Sequence, residues 1–220
     1  MPIDTTLRDA LSAVTTASLA RALMRRGLGA CVPRGLRRRT GGTRAVGAAV
    51  TMRLIPARDE AGPSLADAVE AVPEGAVVVI DAGGAGSALP FGAILAERLL
   101  RRGAAGLVVS GALPAGGSLP VWDCGEAPAL AAPGLVLAGT NEPIGCAGAA
   151  VHPGDIVVGD GHGIVIVPPT IAEVVAFEAV EQQRLDLWIL RAVENGGSLA
   201  GLLPPDEAAL ARFRAETETR

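Results

Sequence analysis

The stretch 76-AVVVIDAGGAGSALPFGAILAERLLRRGAAGLVVSGALPA-115 decides how the rest of the chain is read. Val77 to Ile80 are an unbroken apolar run, the pattern of a strand buried on both faces. Phe91 to Arg102 carry apolar residues at helical spacing, and Leu107 to Val109 are a second short apolar run. The sequence therefore predicts a strand-helix-strand unit, whose working loops lie beyond the C-terminal ends of the strands. Those loops are 81-DAGGAGSALPFGAIL-95 and 110-SGALPAGGSLP-120.

Working outward, residues 5 to 27 read as one or two helices, with Thr15, Thr16 and Ser18 available as caps and Gly27 as the stop. The segment 31-CVPRGLRRRTGGTR-44 carries five arginines among glycines and a proline. Such a cluster is either a solvated turn or an anion or RNA contact. Residues 45–55 alternate as a strand that Pro56 ends, and 64-SLADAVEAV-72 fits a short helix capped by Ser64. Beyond the central unit, 120-PVW-122 reads as a short strand leading into 123-DCGEAPAL-130. The segment 135–169 is a string of short strands separated by Gly and Pro, expected to form a layer beside the first sheet. A long helix follows from Thr170, its cap, to Asn195, with an apolar stripe of Val174, Val175, Phe177, Leu185, Leu187, Trp188 and Leu190. One more short helix covers 206–217, after the Pro204-Pro205 break. The expected division is a domain over 1–168 and a helical extension over 169–220 that packs on the same or a neighbouring subunit.

Composition removes several function classes. Half of the 220 residues are apolar, yet there are only two tryptophans, three phenylalanines and no tyrosine. The core must be built of Ala, Val, Leu and Ile, and little remains for stacking on nucleobases. All nineteen basic residues are arginine, so no lysine can form a Schiff base or complete a phosphate-binding GxxxxGK[ST] loop. With two histidines, acid-base work falls to carboxylates, cysteine or bound water. The three cysteines lack CxxC spacing and read as small buried residues in a reducing compartment. A net charge of −4 gives no global attraction to DNA or membrane. No apolar run approaches the roughly 18 residues that span a bilayer, and Met1 to Ala20 lacks the apolar core of a secretory leader, so a cytoplasmic protein is expected.

Taken in order, 15-TTASLARAL-23, 46-VGAAVT-51, the 83–111 core and 152-HPGDIVVGDGHGIVIVP-168 resemble the RraA-like family. That family groups 4-hydroxy-4-methyl-2-oxoglutarate aldolases and oxaloacetate decarboxylases with regulators of ribonuclease activity. The resemblance implies an α/β fold of the layered β/β/α "swivelling" kind, assembled as trimers or trimer pairs with pockets between protomers. In the family's enzymes a G-x-x-L segment at the start of the central helix offers backbone amides to the substrate's carboxylate; here it is Gly92, Ala93, Ile94 and Leu95. The first turn of any helix has unpaired N–H donors for an anion. Gly92 equally suits tight packing of helix on strand.

The second loop departs from the family. Where its enzymes carry D-G-x-x-R-D, this chain reads 110-SGALPA-115. Ser110 replaces the first aspartate, Pro114 the carboxylate-gripping arginine, and Ala115 the aspartate that holds a divalent metal. Pro114 is then counted with Gly92, Ala93, Ile94 and Leu95 as lining the substrate position. Proline offers no donor and alanine no oxygen ligand, so neither metal nor other cofactor is expected. Each loss removes several kcal/mol of transition-state stabilisation, about 1.4 kcal/mol being tenfold in rate.

Two classes of function follow. One is a repurposed, metal-independent enzyme whose acid-base groups come from Ser110, Asp81, Asp123 and Glu126, with Cys124, Asp160 and His162 as further candidates. The bland rivals are that Asp81 and Asp160 cap local amides, that His162 is a turn residue and that His152 is a surface residue at a strand end. The other is a non-catalytic oligomeric regulator that meets RNA or a ribonuclease through Arg34, Arg37, Arg38, Arg39 and Arg44, with the C-terminal helix as a second contact surface.

Overall fold

One strand joins all the others of the main sheet. In this computed structural model, which describes residues 3–58, 62–84, 87–89, 91–113, 117–125 and 134–217, β2 (Ala45–Pro56) runs for twelve residues. Along one edge Ala49 to Arg53 pair in parallel with β3 (Val77–Asp81). Along the other, its start pairs antiparallel with β9 (Ile156–Gly159) and its end with β6 (Leu135–Thr140). From β3 the sheet continues in parallel through β4 (Gly106–Val109) to β5 (Val121–Asp123), and β1 (Arg37–Thr40) closes that edge antiparallel. At the other edge β10 (Ile164–Val167) pairs with β9. The predicted strand-helix-strand unit is thus present as β3, α4 (Gly92–Arg101) and β4.

The 135–169 segment differs from its expected place. Only β7 (Ile144–Cys146) and β8 (Ala149–Val151) form a separate hairpin, while β6, β9 and β10 belong to the main sheet. The reason is the length of β2, which outruns five-residue β3 and offers a long edge of backbone donors and acceptors to be paired. The arginine segment also differs from a simple solvated turn, since Arg37–Thr40 is an edge strand with Arg37 and Arg38 exposed. Charged side chains are a common guard on such an edge.

Side-chain alternation along β2 divides the core. On one face Ala45 and Ala49 join Val77, Val79, Val108 and Trp122 under Ile144, Cys146, Ala149 and Val151 of the hairpin. Trp122 is fully buried, and its indole N–H donates to the Asp160 carbonyl at 2.9 Å. Gly159 leaves room for that ring, because a Cβ there would stand 2.7 Å from it. The indole of β5, the strand next to the β1 edge, thereby reaches the residue that follows β9, and the sheet curls.

The other face carries two helical covers. Near the start of β2, Val46 packs with Ile156, Val158, Val165 and Val167 beneath α1 (Thr5–Ala13), α2 (Thr16–Arg25) and α5 (Ala172–Glu194). Near its end Met52 and Leu54 pack with Val78, Ile80, Leu107 and Val109 beneath α3 (Leu65–Glu70) and α4. Leu11, Leu19 and Leu23 are fully buried, each contributing about 1.5–3 kcal/mol. The half-exposed Arg21–Asp186 pair on the same helices contributes about 0–1 kcal/mol, so apolar contact fixes the first cover.

The N-terminal helices divide at Val14 and Thr15. Asp4 caps α1, Thr15 caps α2 by accepting from the Ser18 N–H, and Arg44 donates to the Leu11 and Val14 carbonyls that end α1. Thr170 does not cap α5; it lies in a preceding 3₁₀ turn, and Ile171 stands at the cap. The buried face of α5 is Ala172, Val175, Ala176, Ala179 and Ile189, whereas Val174, Phe177, Leu187 and Leu190 of the expected stripe are exposed. Small residues let α5 lie close on α1 and α2, and the larger ones turn outward. The last helix, α6 (Glu207–Thr217), sets Phe213 edge-on against Trp188 with ring centres 6.0 Å apart. Among the described residues no helix is long and apolar enough to cross a membrane.

Candidate functional site

The turns after β3, β4 and β5 converge at one end of the sheet. Ser110 follows β4 directly and is almost fully buried. Its Oγ accepts from the Ala82 N–H at 3.0 Å and donates to Asp81 Oδ1 at 2.9 Å. The same Oδ1 accepts from the Gly83 N–H at 3.1 Å, the local capping role expected of Asp81. Main-chain bonds lock the two loops: Gly84 N–H to Ser110 O (2.7 Å), Ala112 N–H to Ser87 O (2.7 Å) and Leu89 N–H to Ala112 O (2.9 Å). Gly111 must lack a side chain, because a Cβ would lie 2.8 Å from the Ser87 carbonyl and 3.0 Å from Ala82 Cβ.

Two of the predicted catalytic residues therefore meet, with different prospects. Ser110 is shut away from solvent and positions its neighbour. Asp81 is half-buried, and its Oδ2 accepts no hydrogen bond among the described residues. It is the group able to face a ligand.

Asp123 has another task. It is fully buried; Oδ1 accepts from the Gly125 N–H at 3.1 Å and Oδ2 from the Leu113 N–H at 3.0 Å. Arg39 Nε lies 3.0 Å from Oδ1 and 3.2 Å from Oδ2. With both oxygens committed, this carboxylate ties β1, β5 and the loop after β4 together and is a positioning group. Glu126, Pro114 and Ala115 lie outside the described residues.

The thiols around this floor are held protonated. Burial pushes Cys146 up to about 12, helped by the negative charge of Asp81, and its Sγ lies 3.9 Å from the Ile80 carbonyl. Burial, then the charge of Asp123, also raises Cys124. Neither is a thiolate nucleophile at neutral pH.

The first turn of α4 has an unusual entry. Phe91 stands at its cap with φ of 55°, a left-handed conformation that a bulky side chain rarely takes, and three quarters of the residue is exposed. This turns the Phe91 carbonyl into the helix, where it accepts the Ile94 N–H at 2.9 Å and the Leu95 N–H at 3.0 Å. Only the Gly92 and Ala93 N–H groups are without an acceptor among the described residues. The four-amide cradle expected from the G-x-x-L segment is thus reduced to two amides beside an exposed aromatic ring.

The other candidates lie elsewhere. Asp160 accepts from Thr16 N–H (2.8 Å), Thr16 Oγ1 (2.7 Å) and His162 N–H (2.8 Å). Burial opposes its ionisation, but these bonds and the nearby His162 outweigh it and hold the carboxyl below its ordinary value. Asp160 anchors α2 to the turn after β9, and His162 is an exposed residue of that turn. His152 is exposed at a strand end, its Nδ1 3.7 Å from Asp155. The arginine set divides: Arg39 and Arg44 are structural, while Arg34, Arg37 and Arg38 are exposed.

The donors among the described residues do not fit the family's divalent metal. Among the described residues no three His, Cys, Asp or Glu side chains gather to hold an ion, and Asp123 is already neutralised by Arg39. Sequence reasoning missed Phe91, Arg39 as the partner of Asp123, and Cys146 beneath the site. Pro90-Phe91-Gly92 marks a turn, but nothing in it announces a left-handed phenylalanine.

A curled sheet under two helical covers, with the start of α4 following the loop after β3, defines an α/β protein of layered architecture. Residues 5–166 match the RraA-like family, Aldolase/RraA, and the chain belongs to that family. Protein DlpA of Legionella pneumophila is 26% identical over 166 residues, 72% of this chain and 27% of that protein. A protein of Halalkalibacterium halodurans named as a candidate 4-hydroxy-4-methyl-2-oxoglutarate aldolase is 30% identical over 126 residues, 55% of this chain and 60% of that one. The chain thus spans less than two thirds of either curated relative. Among solved structures, Streptomyces coelicolor RraAS2, described as an unusual member of the RNase ES inhibitor RraA family, superposes with a TM-score of 0.75 at 26% identity, covering 86% of this chain and 97% of that one. An uncharacterized protein of Pseudomonas syringae pv. tomato does so with a TM-score of 0.79 at 26% identity, over 91% and 93%.

Proposed function

We propose that this chain is a repurposed, metal-independent enzyme that binds a small carboxylate-bearing metabolite at the first turn of α4 and moves a proton with Asp81. In this reading the pocket is completed by a neighbouring copy within a cytoplasmic trimer or pair of trimers. The observation that carries it is that the loop between β3 and α4 has a carboxylate at its start, Asp81, whose Oδ2 accepts no hydrogen bond among the described residues, and two unengaged amides at its end, Gly92 and Ala93. The substrate's carboxylate accepts from the two N–H groups, where the helix dipole favours negative charge. The exposed Phe91 ring takes the apolar body of the ligand. Ser110 and Gly83 hold Asp81 through Oδ1, so Oδ2 serves as base or, once protonated, as acid. With Pro114 and Ala115 in place of arginine and aspartate, no cation offsets an enolate, which restricts the reaction to steps that build little new negative charge.

Calorimetry of the purified oligomer with pyruvate in EDTA tests the binding half, and turnover of a panel of 2-oxo and 2-hydroxy acids tests the chemistry. Asp81→Asn should abolish turnover and leave pyruvate affinity within about twofold, since the amides remain. Ala93→Pro, tolerated in a first helical turn, removes one donor and should weaken pyruvate binding. Turnover of 4-hydroxy-4-methyl-2-oxoglutarate or oxaloacetate that depends on magnesium or manganese would overturn the reading.

A second reading, a non-catalytic regulator, draws on the likeness to RraAS2 and on exposed Arg34, Arg37 and Arg38. It requires binding to a ribonuclease that is lost when these three arginines become glutamate.

A further inference from the structure

The two helical covers leave a gap between them. Val46 belongs to the α1, α2 and α5 cover and Met52 to the α3 and α4 cover, while Ala48 and Val50, on the same face of β2, are only half-buried. Over them opens a cavity of about 630 Å³, walled by Ala68 of α3 and Ala71 at its C-cap, the 73–76 turn before β3, Asn141 and the Pro153-Gly154 turn. Its size is that of a pocket for a small organic molecule. The floor is apolar and one wall is cationic. Among the described residues that line it, Arg8 of α1 is the one cation.

Arg8 has no ordinary explanation. Its Nε is closed off from solvent and donates to nothing. The guanidinium lies beside Gly75, where a Cβ would come within 3.2 Å of Nη2 and 3.6 Å of Nη1. Glu74, the acid of the rim, lies against Gly103 instead: a Cβ at that glycine would stand 2.8 Å from Glu74 Cγ. No ion pair forms between Arg8 and Glu74, although Arg26, Arg39, Arg53 and Arg98 all find acceptors, and Arg44, whose Nε is likewise unpaired, donates through Nη2. A charge placed this way at the wall of an apolar cavity lacks the partner that a buried donor normally has.

We infer that this cavity is a binding site for a small organic acid, with its carboxylate on Arg8 and its aliphatic body over Ala48, Val50, Ala68 and Ala71. One guanidinium matches one carboxylate in forked geometry, and among the described residues no second cation lines the cavity for a more highly charged anion. The site is separate from the turn of Asp81. It opens beside Gly75 and Ala76, before β3 begins, and the five residues of β3 put about 17 Å between the two ends.

The test is a titration of the full-length ¹⁵N-labelled protein with sodium hexanoate, with hexanol as the neutral probe of the same body. Hexanoate should shift the amides of Gly75, Ala76, Val50, Asn141 and Gly154, and hexanol should not. Arg8→Gln should weaken hexanoate by at least about tenfold, the scale of one charge-assisted contact. Ala48→Leu, which fills the floor, should abolish binding with Arg8 intact, and Asp81→Asn should leave it unchanged. The inference fails if hexanoate leaves those amides unmoved, if hexanol binds equally well, or if Arg8→Gln binds as the parent does. It fails too if these amides shift on dilution alone, since a second copy of the chain would then cover the cavity. Far-ultraviolet circular dichroism of each variant keeps a folding defect from counting as lost binding.

Discussion

The turns after β3 and β5 are built alike and do opposite work. Each begins with a strand-end aspartate whose Oδ1 accepts the amide two residues on, Gly83 in one case and Gly125 in the other. Asp123 then gains Arg39 from the edge strand and the Leu113 amide, and vanishes into the structure. Among the described residues Asp81 gains only the hydroxyl of Ser110, on the oxygen it already uses, and its Oδ2 accepts no hydrogen bond. The same local motif becomes an anchor at Asp123 and, in the proposed function, a working acid at Asp81, according to what the neighbouring strand brings to it.

The contrast can be broken at its strongest point first. Asp123→Ala strips Arg39 of its partner and orphans two amides. Its expected cost is about 3 kcal/mol, the low end for a buried pair because the Arg39 side chain is 29% exposed. Urea denaturation measures it, and a loss under about 1 kcal/mol would mean that Asp123 is not the anchor. Asp160, a third strand-end aspartate, sharpens the rule from the other side of the sheet. Its carboxyl is held below the ordinary value, so its stabilisation is full above the pKa of the unfolded chain, near 3.8, and is lost as pH falls through the lower folded value. Asp160→Asn should cost about 1–3 kcal/mol at neutral pH and flatten the decline of stability below about pH 4. An unchanged acid limb would remove Asp160 from the account. Smallest in stability is Asp81→Asn, expected within about 0.5–1 kcal/mol of the parent because Oδ1 can keep both its contacts. A loss as large as that of Asp123→Ala would erase the distinction between the two turns.

Local pattern carried much of this structure. The apolar run before Asp81, the helical spacing after Phe91 and the Pro204-Pro205 break gave β3, α4 and α6 nearly residue by residue, since each depends on neighbours within a turn or two. What escaped depends on distant partners. β1 is Arg-Arg-Arg-Thr, a run with no strand signature that pairs only because β5 presents an open edge. Strands β6, β9 and β10 were expected in a separate layer because periodicity records a strand and not its partner, and β2 pairs with two of them across about eighty residues or more. Within the site, Asp81 and Ser110 were legible because loops after adjacent parallel strands must meet. That Asp123 belongs to Arg39 was hidden by 84 residues of separation. That Ile94 and Leu95 spend their amides on Phe91 was hidden by a φ that phenylalanine seldom adopts.

The most direct measurement of the central claim is the pair of amide resonances of Gly92 and Ala93 during a pyruvate titration in EDTA. The account predicts saturable shifts at these two amides, smaller ones at Ile94 and Leu95, and no change when EDTA is replaced by magnesium. Shifts that require the metal, or that leave Gly92 and Ala93 unmoved while pyruvate binds elsewhere, would contradict it.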